Sequence, residues 1–521
     1  MKTTPEQTLS QIRSAILDSI KSPVLTHEQK VTALAAHADS LLDVLDLPEA
    51  LAEELEGLLN RPGNTDGCIC DLSEGHAPLR PRYIVPDYEK FMTEGSPFLQ
   101  LPPPGDLAEA LDSLLILYKH VPSVTNYPVY LGALDQLLEP FLEGVSEEEA
   151  LTLITRFLRH VDRTVLDAFS HANIGPQDSR AGRLILKAEA GLCQAVPNLT
   201  LKYDPDQTPD DFALLCIETA LTCAKPSFAN HPLFRSELGT DYVIASCYNG
   251  LKLGGGSYTL CRLILGNIAK RAESIADFKE TQLPMVCARM AAYMDARIRF
   301  EVEESGFFLH NFLAKEGLIH RDRFTAMFGL VGLADCVNLL LEKEGIPGRF
   351  GHDPHADQLG LEIMEEINAL NNAHHNPYCE ATDGHFLLHA QVGLAEDQNI
   401  TPGVRIPIGE EPEVLLHHLR HCGKFHPFFP SGAGDIFPMD STVQANPAYL
   451  LDMLKGAFRE QLRYLSFYSR DSDVVRITGY LVKRSEIQKL EAGENVLQGT
   501  TALGMGAVRN GHALARKLRQ V

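Results

Sequence analysis

Between about residue 104 and about residue 460, segments that open on helix-start signals alternate with short apolar or β-branched runs, and this alternation restricts the fold more than any other feature. Ser146 and Glu149 have the spacing of a capping box, in which hydroxyl and carboxylate bond the free N–H groups of a first helical turn. Thr208-Pro209 and Asn446-Pro447 each place proline, with its preset φ, where a helix would begin. Alternation of this kind predicts an α/β fold with a central sheet and helices outside. The simplest division is one large body, residues 1–470, followed by a short C-terminal segment, residues 471–521.

Ahead of that region, Leu9, Ile12, Ile16 and Ile20 recur at helical spacing, and a second apolar-periodic run covers residues 26–59. Both predict a helical layer packed on the main body. Residues 61–104 are rich in Pro and Gly and read as loop and extended chain over its surface. No repeat or low-complexity tract interrupts the pattern.

The formal charge of −23 leaves no surplus of Lys and Arg to grip a phosphate backbone, so nucleic acid is excluded and a small-molecule partner is expected. The first 21 residues are polar and include Glu6 and Asp18, and no window approaches 18 uncharged apolar residues. A cytoplasmic protein without a membrane partner is the expectation. Eleven cysteines lack the paired CxxC spacing of a zinc site or a small disulfide scaffold, and are read as reduced, buried small hydrophobes.

Two segments carry chemistry. In the first, the apolar run from Asp241 ends at Cys247, and Tyr248, Asn249, Gly250 and then Gly254, Gly255 and Gly256 follow. A strand that ends in an Asn-Gly turn puts a thiol at its tip, beside backbone that a ligand can approach closely. Taken alone, this segment is better read as a buried cysteine before an ordinary glycine-rich loop, since free cysteine is commonly buried. A phosphate loop does not fit, because no Gly-Lys-Ser/Thr follows.

The second segment, Asp473-Val-Val-Arg476-Ile-Thr-Gly479-Tyr480-Leu-Val482, has strong β composition with one glycine at its centre. Glycine weakens a strand unless a bulge or a close approach requires it. Storage of a radical supplies a reason for both segments. An unpaired electron on a glycine α-carbon is shared with the flanking amides, and without a Cβ the centre flattens freely. Such a radical is long-lived and poorly reactive, so it has to pass to a group of similar bond strength that reaches a substrate, and a thiol suits that task. Gly479 and Cys247 would then meet in a shielded interior.

These residues resemble those of the glycyl radical enzyme superfamily, which includes pyruvate formate lyase, the glycerol and choline lyases and anaerobic ribonucleotide reductase. Arg476-Ile-Thr-Gly479-Tyr480 is similar to the family's C-terminal radical motif, and Pro197-Asn198-Leu199-Thr200, Lys225-Pro226-Ser227-Phe228 and Asp241-Tyr242 follow the order seen before its thiyl cysteine. The Cys247-Tyr248-Asn249 loop and the closing Arg509-Asn510-Gly511-His512-Ala513 look most like the YjjI branch. The resemblance implies an α/β barrel of ten strands, built from two five-stranded parallel half-barrels with helices outside and the glycine and cysteine loops meeting inside. It also implies a catalytic pair, Cys247 and Gly479, with Gly479 the residue modified to a radical. Tyr248 and Asn249 would bind substrate. No cofactor is expected to stay bound and no metal is assigned; a separate radical S-adenosylmethionine (SAM) activating enzyme would install the radical, and a homodimer would match the wider family.

Departures from the family narrow the chemistry. Diol dehydratase and decarboxylase branches carry Cys-x-Glu with a basic glutamate, whereas Asn249 stands there, and an amide takes no proton at neutral pH. Tyr248 replaces the second of the adjacent cysteines of pyruvate formate lyase, and no cysteine after Cys422 could form the zinc set of the anaerobic reductases. A lyase or dehydratase acting on a small organic molecule remains, with a non-catalytic binding or radical-repair relative as the alternative. Among other candidates, His417 and His421 at i and i+4 could chelate a metal, but an amphipathic surface helix explains them as well. His352, His355 and Asp357, and likewise His374 and His375, could hold a metal or a polar substrate, and loop-turn chemistry explains the first set as well. The segment from Arg323 to Ala334 reads as a buried strand-to-helix connection, and Arg509, Arg516, Lys517 and Arg519 as a solvated helix face.

Overall fold

The computed structural model describes residues 5–39, 45, 47–60, 64–72, 79–392 and 397–520. The expected N-terminal helices form at Pro5–Lys21, His27–Asp39 and Glu49–Leu58; within the second periodic run, residues 40–44 and 46 lie outside the described residues. Only part of the expected packing layer is buried. Leu55 and Leu58 enter the core, whereas Leu9 and Ile20 are 57% and 50% exposed. The stretch 61–104, of which 61–63 and 73–78 lie outside the described residues, contains strands β1 (Ile69–Cys70) and β2 (Tyr83–Val85). It also contains a helix, Tyr88–Glu94, that the loop expectation passed over. Asp87 caps that helix by accepting from Lys90 N–H.

Twelve further strands complete the sheets among the described residues: β3 (His171–Ile174), β4 (Asn198–Tyr203), β5 (Ser227–Asn230), β6 (Tyr242–Ala245), β7 (Asn249–Lys252), β8 (Gly255–Ile264), β9 (Phe324–Val331), β10 (Leu387–Ala390), β11 (Asp435–Met439), β12 (Tyr464–Ser469), β13 (Val474–Arg476) and β14 (Leu481–Lys483). Strands β3, β4 and β5 run parallel, joined by the crossover helices Arg180–Leu192 and Asp210–Cys223 that parallel pairing requires. Ala133 extends this half through a parallel bridge to Asn173. In the other half β8, β9 and β10 are parallel, His389 of β10 bridges Gly432 in parallel just ahead of β11, and β11 is parallel to β12.

The two halves join edge to edge in opposite directions. β5 pairs antiparallel with β12 at Ala229–Tyr464, and β2 pairs antiparallel with β8 at Tyr83–Ser257. Pairing therefore runs from the segment at Ala133 through β3, β4, β5, β12, β11, β10, β9 and β8 to β2. This is the expected barrel of two oppositely directed parallel halves. Between β2 and the Ala133 segment the chain is tied by the Val124 N–H and the Ser123 hydroxyl, both donated to the Arg82 carbonyl. β1 pairs with the same edge of β8 farther along, at Ile69–Leu263.

Helix starts fall where the caps place them. Ser146 accepts from Glu149 N–H at 3.2 Å, and helices Asp210–Cys223 and Pro447–Arg459 begin at their prolines. β9 is buried throughout and runs into helix Leu333–Lys343, as the 323–334 segment predicts. β4 is also buried on both faces, yet it alternates Asn198, Thr200 and Lys202 with Leu199 and Leu201. Successive side chains point to opposite faces, so the barrel interior is lined with polar groups. Two hairpins project into that interior, β6–β7 with residues 246–248 at its tip and β13–β14 with residues 477–480 at its tip. Among the described residues no helix is long and apolar enough to cross a membrane.

Candidate active site

Strand β6 ends at Ala245, and Ser246 turns the chain with φ of +56°. That left-handed turn is held by Ser246 N–H to Val129 O at 2.8 Å and by Gly250 N–H to Ser431 O at 2.7 Å. Cys247, Tyr248 and Asn249 are consequently all buried. In the second hairpin Ile477 N–H donates to Tyr480 O at 3.1 Å, closing a tip that presents Gly479. The run read as one strand with a central glycine is thus two strands folded back at that glycine.

The two tips touch. Gly479 is not among the residues at positive φ, so its backbone does not itself demand glycine. Space does: a Cβ added there would overlap the Cβ and Sγ of Cys247 and stand 2.8 Å from its Cα. Only a residue without a side chain lets the α-carbon come this close to the thiol.

The polar face of the barrel holds both tips. Asn198 Nδ2 donates to Gly479 O at 2.8 Å, and Arg476 Nη2 donates at 3.0 Å both to Asn198 Oδ1 and to Ala224 O. Arg516 Nη2 donates to Ile477 O at 2.7 Å. His171 Nδ1–H donates to Ser246 O, while its Nε2 accepts from Thr200 Oγ1 at 2.7 Å; the same Thr200 oxygen lies 2.9 Å from the Tyr464 hydroxyl. Burial lowers His171 to about 3, which keeps the ring neutral and this tautomer in place. The carbonyls of Ser246, Ile477 and Gly479 thereby have fixed donors, which hold both hairpin tips in place.

Burial pushes the Cys247 thiol up to about 12, against smaller opposing effects of the Ser246 hydroxyl and the charges of Arg476, Arg405 and Arg82. The thiol therefore remains S–H around neutral pH. Thiolate nucleophiles need the opposite shift. A sealed, protonated thiol is suited to giving and taking hydrogen atoms.

Tyr248 forms a wall of the site. Its hydroxyl donates to Ala390 O at 2.6 Å, and its ring lies beside Gly432 and Gly434, where a Cβ would come within 2.9 Å and 3.1 Å of it. The His389 and Tyr464 rings stand 5.6 Å from it. Asn249 begins β7 opposite Ala245, and its Oδ1 has no hydrogen-bond partner among the described residues.

The helix Leu415–Phe425 is amphipathic at the surface, as expected: Leu416, His417, Arg420 and Lys424 are exposed, His418, His421 and Cys422 are buried, and His417 and His421 therefore do not share a face. Instead His418 Nε2–H donates to Asp435 Oδ2 at 2.9 Å, Cys422 lies 3.3 Å from the same oxygen, and His421 pairs with Asp357 at 3.2 Å. Arg519 Nη2 donates to His418 Nδ1 at 2.9 Å, so both ring nitrogens are engaged and a guanidinium faces the cluster. The expectation of a solvated basic tail needs correction: Arg509 is exposed on the helix, but Arg516 and Arg519 are buried. Its helix stops at Gly511, after which Arg516 and Arg519 turn inward and bond Ile477, Pro412 and His418, since buried carbonyls and imidazole give a guanidinium better-placed acceptors than the surface. His352 and His355 bond backbone carbonyls of Glu410 and Pro347, and His374 bonds Asp295, in keeping with turn roles.

His171, Arg405 and His389 escaped the sequence reading, and Arg516 was read only as part of a solvated face. Arg476, Asn198 and Thr200 lay within motifs already singled out, whereas Arg405 sits in a Pro/Gly-rich stretch, Thr401-Pro-Gly-Val-Arg405-Ile-Pro407, whose one signal is a lone cation among apolar residues.

The sequence matches the family described as "Glycyl radical enzyme YjjI-like" over residues 25–519. A protein of Haemophilus influenzae is 46% identical over 507 residues, 97% of each chain. The anaerobic ribonucleotide reductase of Thermotoga maritima, solved with dATP and CTP, superposes with a TM-score of 0.70 at 11% identity, covering 94% of this chain and 99% of that one. The B12-independent glycerol dehydratase of Clostridium butyricum, solved with glycerol, gives a TM-score of 0.67 at 13% identity, over 100% and 89%. At these identities the two structures share the fold.

Proposed function

The chain belongs to the YjjI-like family of glycyl radical enzymes, and on that premise we propose that Gly479 stores the radical and Cys247 delivers it to a small organic substrate. The observation that carries this reading is the contact between the two hairpin tips, where no side chain fits at residue 479. In the first step Cys247 S–H gives its hydrogen atom to the Gly479 α-carbon, leaving a glycine CH2 and a thiyl. The thiyl then takes hydrogen from a substrate carbon and becomes S–H again. The substrate radical weakens a neighbouring bond, which breaks in a lyase or dehydratase reaction, and the product radical recovers hydrogen from the same thiol. A separate radical SAM enzyme removes the first Gly479 hydrogen, and residues 471–521 serve as the radical-bearing segment.

Asn249 stands where related branches carry a basic glutamate, so a proton acceptor for the substrate comes from elsewhere or is not needed. A pure binding protein would have no use for a glycine pressed against a buried S–H group, which favours the enzyme.

Anaerobic treatment with SAM and a matching activase should produce an electron paramagnetic resonance doublet in the parent protein and none in Gly479→Ala. Air should then cut the activated chain at residue 479. An undiminished signal in Gly479→Ala, or an intact chain after the doublet decays in air, would refute the assignment.

A further inference from the structure

The guanidinium of Arg405 is 6% exposed, and neither Nη1 nor Nη2 has a hydrogen-bond partner among the described residues. Its other edge is occupied: Nε donates to Gly434 O at 2.8 Å and lies 3.7 Å from Asp435 Oδ1. The end-on edge, where two parallel N–H groups match the two oxygens of a carboxylate or a phosphate, is unused. Buried polar groups are hydrogen-bonded in folded proteins, and a guanidinium fork left bare costs more than most.

Arg405 is also held rigidly. Its N–H bonds Pro402 O at 3.0 Å, and Thr401 is fixed to Asp335 through its N–H at 2.7 Å and its hydroxyl at 2.9 Å. The loop is thereby anchored to the start of helix Leu333–Lys343. Gly434, which carries the Arg405 anchor, lies against Tyr248 and Tyr464 beside the cysteine tip.

Other unpartnered buried atoms stand on the same side of the barrel. His389 Nδ1, whose ring is 5.6 Å from Tyr248, is one; Ser431 Oγ, next to the Gly432 that abuts Tyr248, is another; Asn249 Oδ1 and Thr478 Oγ1 flank Cys247 and Gly479. Arg476, by contrast, spends its fork on Asn198, Ala224 and Gly479. The largest charge effects on Cys247 come from Arg476, Arg405 and Arg82, all cationic. A neutral polyol offers the Arg405 fork no pair of anionic oxygens of matching geometry.

We propose that the substrate carries an oxyanion, a carboxylate or a phosphate, gripped end-on by Arg405 Nη1 and Nη2 beside Cys247. The inference rests on the reading of Cys247 and Gly479 given above. In this arrangement the ionic group fixes the substrate, and His389, Ser431 and Asn249 take its polar groups nearer the thiol.

The test uses the full-length, unactivated protein, titrated with acetate and with inorganic phosphate against chloride at constant ionic strength, with thermal unfolding as the readout. Saturable stabilisation of the parent protein by either anion is expected, acetate marking a carboxylate substrate and phosphate a phosphate ester. In Arg405→Gln the affinity should fall at least about tenfold, the loss of a charge-assisted bidentate contact. Arg405→Lys keeps a cation without the fork, and should also bind several-fold more weakly; it carries the test if the glutamine variant does not fold. No saturable binding by the parent protein, or parental affinity in both variants, would overturn the proposal. Because no radical is involved, this outcome is independent of the paramagnetic resonance result for Gly479.

Discussion

A single methyl group on residue 479 would have to share the space of the Cys247 side chain, so Gly479→Ala must push the two hairpin tips apart. Overpacking of this kind costs about 1–3 kcal/mol, and the variant should lose stability in that range as well as the radical signal. Denaturant unfolding beside the parent protein measures the first effect. Cys247→Ser makes a smaller steric change with a different chemical consequence: the stronger O–H bond does not surrender its hydrogen to a glycyl radical. The doublet should form in that variant while turnover of any identified substrate is abolished, and retained turnover would sink the thiyl role. These two residues were legible because a radical store and its relay demand particular atoms. Arg405 was not, because nothing in its Pro/Gly-rich stretch shows which way the chain turns the side chain.

At the scale of elements, the glycine hairpin is held from two distant parts of the chain, by Asn198 on β4 and by Arg516 from the C-terminal tail. Removing the second with Arg516→Met leaves Ile477 O without that donor, a loss of about 1–3 kcal/mol of local stability. Amide hydrogen exchange across residues 477–480 should then accelerate by about 5- to 150-fold while the barrel strands keep their parental rates. Unchanged exchange at the tip would show that Arg516 does not anchor it. Helix boundaries were readable from capping residues such as Ser146 and from prolines, since those signals act within one turn. The tail was misread because its arginines are placed by acceptors that belong to other elements, Pro412, His418 and Ile477. The same holds for β4, whose alternating Asn198, Thr200 and Lys202 suggest a strand with one wet face but line a closed interior.

For the molecule as a whole, the barrel was legible through family resemblance and not from pattern. Pairings such as Ala229 with Tyr464 join segments far apart in sequence, and local periodicity carries no record of them. The polar interior does leave a mark on solution behaviour. Burial lowers His171, His389 and His426 each to about 3, so they are neutral in the fold, whereas an unfolded chain takes up their protons below about 6.5. Stability from these groups is complete above that pH and is lost as pH falls from 6.5 towards 3. Asp135, raised by burial to about 6, acts in the opposite sense between 6 and its ordinary value. The net expectation between pH 7 and pH 5.5 is a loss of about 2–4 kcal/mol, measured by urea unfolding; equal or greater stability at pH 5.5 would contradict it. The central claim, that the radical at Gly479 exchanges hydrogen with the Cys247 thiol, is tested most directly by activating the protein anaerobically and transferring it to D2O. A thiol that has become S–D returns deuterium to the glycine α-carbon, so the doublet should collapse towards a singlet in the parent protein and persist in Cys247→Ala. A doublet that persists in the parent protein would mean that the two residues, however close, do not communicate.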